Sequence, residues 1–447
     1  MSERQKKGEP RIIAIFVLAL SLAVVFVSAC RVKGKPTIYQ ERKESTECED
    51  TLSGFHFGNA AEEQRATYPA KVGRRELERA IDECAKYLVR MCDAEGKFTY
   101  RVNIDPTVEV KPRYNMVRHA GTIYSLVDYY HWKNDQQVLD AVNRALGFMK
   151  KKGIGPVPES GGLSAVWSPP ELEGRTGEPM QAKLGGTALG LVAAIGVEKI
   201  NPGIISLDEL TQMGRFIVFM QKEDGSFYSK YIPYIGGRED SWTSLYYPGE
   251  AALALVMLYV RDGSPVWLNA ALHAVGYLAK IREPEDQVEA DHWVLIATEM
   301  LLDHYEKTDK SVSRDLLEKH AFKIVSCIMR NRPYIPDTSP LHGMLISEGR
   351  TTPTATRLEG LLAMFDVVNN TPSMEPDKVA EAIRGGIAFL VRSQIREGEF
   401  KGGIPRAIRR EPDAPLYYND RATEIRIDYV QHTLSAMIRY AESPLAD

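Results

Sequence analysis

Cysteine is scarce and unpatterned in this chain: five stand among 447 residues, with no CxxC pair and no Cys/His spacing of the zinc-binding kind. Cys84 and Cys92 share one predicted helix, where their spacing gives about 12 Å of rise, too far for a disulfide. Cys48 and Cys327 are isolated. No HExxH occurs and the histidines are scattered over different segments, so no metal is expected. Gly185-Gly186 and Gly402-Gly403 are short turns without the Lys and Ser/Thr of a phosphate loop, so no organic cofactor is expected either. An excess of positive charge is also missing. Lys and Arg number 56 against 60 Asp and Glu, a formal charge of -4, and no basic stripe offers a surface for nucleic acid.

Long apolar runs are lacking apart from one, Ile12 to Ala29. Arg4, Lys6, Lys7 and Arg11 precede it, which is the charged-then-apolar order of an export signal. The run closes Val27-Ser28-Ala29-Cys30, which resembles a bacterial lipobox and implies lipidation at Cys30. An uncleaved signal anchor is the alternative, since about 18 apolar residues can span a bilayer. Both readings put the body outside the cytoplasm, tethered to a membrane and facing the periplasm or cell exterior. Residues 1–30 are then the signal or anchor, 31–73 a polar tether without sustained period, and 74–447 the folded body.

The body is repetitive. Leu77, Ala80, Ile81, Cys84, Leu88 and Met91 recur at the three-and-four spacing of an amphipathic helix, and similar patterns follow to the end of the chain. They pair as 74–92 with 115–132, 135–151 with 183–197, 206–221 with 247–261, 264–281 with 289–306, 312–330 with 354–369, and 375–394 with 424–441. Ser206 and Ser264 read as N-caps, and Pro265 and Pro376 as first-turn residues. Six hairpins close a ring, so the expected fold is all-α, an (α/α)6 barrel with the second helix of each pair inside.

A smaller repeat follows some of the first helices: Gln221-x3-Gly225-x-Phe227 and Gln394-x3-Gly398-x-Phe400, with Cys92 to Phe98 matching apart from the Gln. These segments resemble the Gln-aromatic repeats of the terpene cyclase and protein prenyltransferase toroids. They imply a fold without a chemistry, because neither a DxDD motif nor the Asp, Cys and His zinc set is present. We expect each Gly to take the left-handed conformation that ends a helix.

In such a ring the inner helix starts and the loops before them form the mouth of a funnel, and polar and aromatic residues cluster there. The first start carries Tyr114, Asn115, Arg118 and His119; the third Tyr246, Tyr247 and Glu250; the fourth Asp291, His292 and Trp293. Arg357 and Glu359 follow on the fifth, and Tyr417, Tyr418, Arg426 and Asp428 on the sixth. His432 and His304, deeper in their helices, read as core residues. If the starts converge, Arg118, Arg357 and Arg426 meet Glu250, Asp291, Glu359 and Asp428 in one aromatic-rimmed cavity. Stacking faces and directional polar groups suit a sugar, and arginine forks suit a carboxylate on it. The expected partner is therefore a polysaccharide or oligosaccharide; no oligomeric state can be read.

The stretches Tyr114 to Leu126 and Tyr246 to Leu255 resemble the helical domain of D-glucuronyl C5-epimerases and, more distantly, N-acylglucosamine 2-epimerases. That resemblance implies proton abstraction beside a uronate carboxylate. Arg118 or Arg357 would hold the carboxylate, with Tyr247, Tyr418, His119 or Glu250 as base and acid. Two alternatives stand beside it. Glu250, Asp291, Glu359 and Asp428 could supply the carboxylate pair of a glycoside hydrolase, or the toroid could bind a polysaccharide or envelope protein without catalysis. A perturbed acid–base pair at the funnel floor separates an enzyme from a binding groove.

Overall fold

A computed structural model describes residues 67–410 and 416–446; the predicted leader, Cys30 and nearly all of the tether lie outside the described residues. Among the described residues twelve long helices build the ring, with three shorter ones between them. The outer set is α1 (Arg74–Met91), α3 (Gln136–Lys152), α5 (Leu207–Phe219), α7 (Pro265–Arg282), α9 (Arg314–Arg330) and α11 (Pro376–Ser393). The inner set is α2 (Met116–Lys133), α4 (Leu184–Ile200), α6 (Tyr247–Asp262), α8 (His292–Asp303), α10 (Thr351–Ala363) and α12 (Ile427–Glu442). Each inner helix packs on the next, and α12 returns to α2, so the ring closes. Among the described residues no helix is long and apolar enough to cross a membrane.

Burial follows position in the ring. Outer α1 buries a stripe, with Leu77, Ala80, Ile81, Cys84, Ala85, Tyr87 and Leu88 inward and charge outward. Inner α4, LGGTALGLVAAIGVEKI, is buried on nearly all sides, as a rod enclosed by neighbours must be. Ser206 caps α5 in a full capping box with Glu209. Ser264 stands at the N-cap of α7 but its side chain makes no cap bond.

The glutamine repeats staple the outer layer. Gln221 Nε2 donates to the Ala270 carbonyl of α7 at 2.9 Å, and Gln394 Nε2 donates to the Ala80 carbonyl of α1 at 2.8 Å, closing the outer ring on itself. Their glycines lie in turns past the helix caps and not at the helix ends where the sequence suggested. Gly96 and Gly225 have φ of +89° and +92°, and a Cβ there would fall 1.9 Å from the Arg144 carbonyl oxygen and 2.4 Å from that of His273. Glycine is required on both counts.

The described chain also holds seven short strands that an all-α reading omits. β2 (Ile154–Pro156), β3 (Ser164–Ser168), β4 (Gln181–Lys183), β5 (Lys230–Ile232) and β6 (Gly237–Glu239) form one antiparallel sheet in that order; β1 (Arg101–Asn103) pairs with β7 (Glu424–Arg426). β4 runs directly into α4 and β7 into α12, while β1 to β7 joins the first hairpin to the last, with Arg101 opposite Arg426. Helix bounds differ modestly from expectation: α8 starts at His292, capped by Asp291, and α10 stops at Ala363 before a separate turn of helix, Phe365–Asn369.

Candidate active site

The starts of five inner helices open on one cavity of about 530 Å³. α2 gives it Asn115 and Arg118; α6 gives Tyr246, Tyr247 and Glu250; α8 gives His292 and Trp293. Arg350 and Pro353 come from the start of α10, and Arg426, Asp428 and His432 from the start of α12. Of α4 only Leu189 reaches it. Close packing at this end rests on small residues. A Cβ on Gly185 of α4 would lie 2.1 Å from Glu250 Oε2, and one on Gly249 of α6 2.5 Å from the Val294 amide of α8.

One side of the mouth is an arc of arginines: Arg118, Arg350, Arg406, Arg421 and Arg426 all line the cavity. Two of them share Asp428, which accepts from Arg118 Nε at 2.8 Å and from Arg426 Nη2 at 2.8 Å. Burial would raise the Asp428 carboxyl, but Arg426 and Arg118 outweigh it and hold the group well below the usual carboxylate range. Arg421 pairs with Glu424 at 2.9 Å, and Arg350 with Glu348. Arg406 has no carboxylate partner among the described residues; its guanidinium lies over the Tyr418 ring, 4.8 Å from the centroid. Burial and the neighbouring charges of Arg421 and Arg350 lower its proton affinity. Like charges held this close favour an incoming anion.

The floor is a different environment. His432 Nδ1 and Glu359 Oε2 are 2.8 Å apart, and His292 Nε2 approaches the same oxygen at 3.7 Å. The two imidazoles meet edge to face, ring centroids 5.2 Å apart, and Tyr246 stands edge to face on His292, also at 5.2 Å. Burial works against charge on both rings. For His432 the Glu359 carboxylate and its hydrogen bond, with Asp428 beyond, outweigh burial and raise the pKa above 6.5. His292 receives no such help. Burial, then the charges of His432 and Arg357, drive its pKa well below 6.5, and neither ring nitrogen finds a hydrogen bond among the described residues. The two neighbouring rings are therefore pushed apart in proton affinity, His432 upward and His292 downward.

Glu250 is perturbed in the opposite sense to an ordinary acid. Burial, then the nearby Asp291, raises its pKa well above 4.5 despite Arg118, and its Oε2 has no hydrogen-bond partner among the described residues. Its proton is held more tightly than that of an ordinary carboxyl. In the ring order α6 is third and α12 sixth, so Glu250 and Tyr247 stand across the axis from His432. Burial also pushes the Tyr247 hydroxyl up, leaving it neutral.

The donor atoms of His292, Glu359 and His432 lie within 4.8 Å of one another, the one such set of three among the described residues, so these side chains could also hold a cation. The His432–Glu359 hydrogen bond occupies Oε2 of the carboxylate, while Glu359 Oε1 and both His292 nitrogens are buried without a hydrogen-bond partner among the described residues.

Of the residues expected from the sequence, Asn115, Arg118, Tyr246, Tyr247, Glu250, His292, Trp293, Arg426 and Asp428 line the cavity together. Others do not reach it. His119 is fully buried away from the axis, its Nδ1 2.8 Å from the Tyr114 hydroxyl and its Nε2 2.9 Å from the Ala145 carbonyl. Burial lowers its pKa to about 4. A satisfied core histidine fits that placement better than an acid or base, and Tyr114 is its core partner. Asp291 is an N-cap behind the wall, accepting from Val294 N at 3.2 Å and from Arg282 Nη2 at 3.0 Å. Glu359 sits beneath the floor, acting through His432. Arg357 donates to the Pro353 carbonyl at 3.0 Å, and the Tyr418 hydroxyl donates to the Glu348 carbonyl. Tyr417 lies in the short helix Leu416–Ala422.

Sequence reasoning misread His432 as a core residue and passed over Arg406, Trp242, Gln431 and Tyr429, all of which line the cavity. Asp428 and His432 are four apart on one helix, hence on one face, which was a usable signal. Arg406 and Trp242 lie in loops with no period to announce them.

No protein-family model matches the chain, and no curated protein matches it by sequence. Solved structures do. A D-mannose isomerase superposes with a TM-score of 0.56 at 15% identity, covering 84% of this chain and 100% of its own. Cellobiose 2-epimerase of Bacillus thermoamylovorans B4167 gives 0.61 at 12%, covering 83% and 98%. An inactive α-1,6-mannanase of Salegentibacter sp. HEL1_6, bound to α-1,6-mannotriose, gives 0.52 at 12%, covering 82% and 99%. These neighbours are (α/α)6 enzymes that act on sugars, and at such identities the likeness is one of fold.

Proposed function

We propose that the protein is a carbohydrate-active enzyme that moves a proton at the carbon beside the carboxylate of a uronate in an anionic glycan, as a C5-epimerase does. Support for this reading comes from two groups that line the same cavity with their proton affinities pushed in opposite directions: His292, held well below the usual imidazole range, and Glu250, held well above the usual carboxylate range. Groups whose environments push their proton affinities apart are suited to act as base and acid. His292 takes the proton and Glu250 returns one. The His432 imidazolium, held charged by Glu359, and Arg406 face the negative charge that develops on the substrate carboxylate.

Hydrolysis is less well supported. It needs two carboxyls with separate duties, and of the two that line the cavity Asp428 is occupied by Arg118 and Arg426. Pure binding leaves the opposed pair at the floor without a purpose. The test is incubation of the full chain in detergent with uronate-containing and neutral glycans in deuterated water. Deuterium at C5 of uronate residues, without new reducing ends, is the expected result; new reducing ends, or no exchange on any uronate, would overturn it.

We propose further that the body is exported and membrane-tethered, a reading supported by the basic residues, apolar run and Cys30 at the chain start. Cys30→Ser should release a lipoprotein from membranes; retention points to the uncleaved anchor.

A further inference from the structure

Trp242 belongs to the cavity and also to the outside. It lines the wall, yet 48% of its surface is exposed, an unusual state for the residue type with most to gain from burial. Its ring stands edge-on to Tyr247 with centroids 5.7 Å apart, and Lys230 Nζ lies 5.2 Å from its centroid. Tyr246, 37% exposed, continues the same aromatic wall down to His292. Lys230 forms no ion pair with a carboxylate among the described residues, although Glu239 sits opposite it in the β5–β6 ladder. The hairpin that carries it is rigid. Tyr231 packs against Trp167, Phe216 and Phe219, with ring centroids 6.3, 6.2 and 6.0 Å away, and Arg238 covers Phe219. The lysine is thus held at the rim by a packed strand, and the indole, in the loop after β6, lies against that lysine and Tyr247.

From this juxtaposition we infer a second subsite, in which Trp242 stacks a sugar ring adjoining the reacting one and Lys230 pairs its carboxylate. The inference rests on the proposed function and deepens it: the substrate is a chain of anionic sugars, not a single sugar. Continuity with the cavity and an ammonium that makes no close ion pair among the described residues both favour that occupant. A neutral chain would use the indole alone.

The test compares the full chain with Trp242→Ala and Lys230→Met on uronate oligosaccharides of increasing length. For long oligomers each variant should raise KM roughly tenfold with kcat nearly unchanged, while the change in KM should shrink with oligomer length and be smallest for the shortest oligomer turned over. An equal effect at every length, or none at any length, overturns the subsite and leaves the reaction standing. Should no uronate be turned over, equilibrium binding of the same oligomers decides the subsite separately. Affinity that grows with length in the parent and not in Trp242→Ala supports it, and equal length dependence in both overturns it. Circular dichroism confirms that each variant is folded.

Discussion

The addition of one methyl group at Gly185 should separate the chemistry from the fold. Gly185 is in the first turn of α4, and its missing Cβ is the space into which α6 leans: the built atom would fall 2.1 Å from Glu250 Oε2 and 2.3 Å from Tyr247 Cδ1. Ordinary contact needs about 3.5 Å, so both groups must retreat by more than about 1 Å. Two effects on stability oppose one another. Alanine is favoured over glycine in a helix by about 0.8–1.0 kcal/mol, and overpacking costs about 1–3 kcal/mol. Gly185→Ala should therefore lose only about 0–2 kcal/mol, read as a small shift in the denaturant midpoint at constant slope. The reaction has no such compensation. Displacement of a reacting group by about 1 Å costs on the order of 100-fold, so exchange at C5 should fall by at least that factor. A double-mutant cycle makes the inference refutable. If Gly185→Ala acts through Glu250, adding it to Glu250→Ala should cost almost nothing more. Full activity in Gly185→Ala, or additive losses in the cycle, would show that the position of Glu250 does not matter.

Glu359→Gln removes the carboxylate that keeps His432 charged, so burial should take over and its ring should titrate below 6.5; imidazole NMR shifts against pH report this, and the alkaline limb of the rate profile should move to lower pH. Glu250→Gln should cost about 10²–10⁴ in turnover yet stabilise the fold at neutral pH. A folded-state pKa raised above 4.5 means that the wild-type carboxyl weakens the fold increasingly as pH rises from there, so the stability gap between variant and parent should widen from pH 5 to pH 8. Asp428→Asn leaves Arg118 and Arg426 facing one another and should destabilise by about 3 kcal/mol, toward the low end for broken buried pairs because Arg118 is partly exposed. Since the folded Asp428 pKa is depressed, that difference should be full above pH 4 and shrink as acid protonates the wild-type carboxyl.

The rods of this toroid were legible because burial imposes a period. Outer helices must show one apolar stripe, inner helices are apolar nearly all round, and both patterns survive in composition. That the inner starts would meet was legible too, since polar and aromatic residues recur at five of them. What could not be read was which neighbour of a pair faces the axis. Successive helical residues point about 100° apart, so Arg118 enters the cavity while His119, one step on, points into the core beside Ala145. Asp291 and His292 divide in the same way, the first as a cap and the second as a wall. The loops were opaque for another reason. β strands of three to five residues carry no measurable alternation, and Arg406, Trp242 and Lys230 reach the mouth through sheet and turn geometry that only the closed ring defines.

The cost of the floor bears on its purpose. His292 and Glu250 each bury polar atoms without a partner, and such a group is worth about 1–3 kcal/mol of lost stability. A fold selected only to stack hairpins could remove that cost with a leucine at either position, as it does at Leu189 on the same wall. It could also fill the space at Gly185 and Gly249 and gain helix propensity. Instead the glycines let α4, α6 and α8 approach closely at the end that carries the acid and the imidazole, and the arginine arc gathers positive charge that only partly finds carboxylates among the described residues. Unsatisfied groups, crowded like charges and open aromatic faces are each unfavourable in the free protein, and each is relieved by one kind of guest: a ring with hydroxyls, a carboxylate and an apolar face. Three separate physical costs that share one remedy point to that guest more firmly than any single residue does.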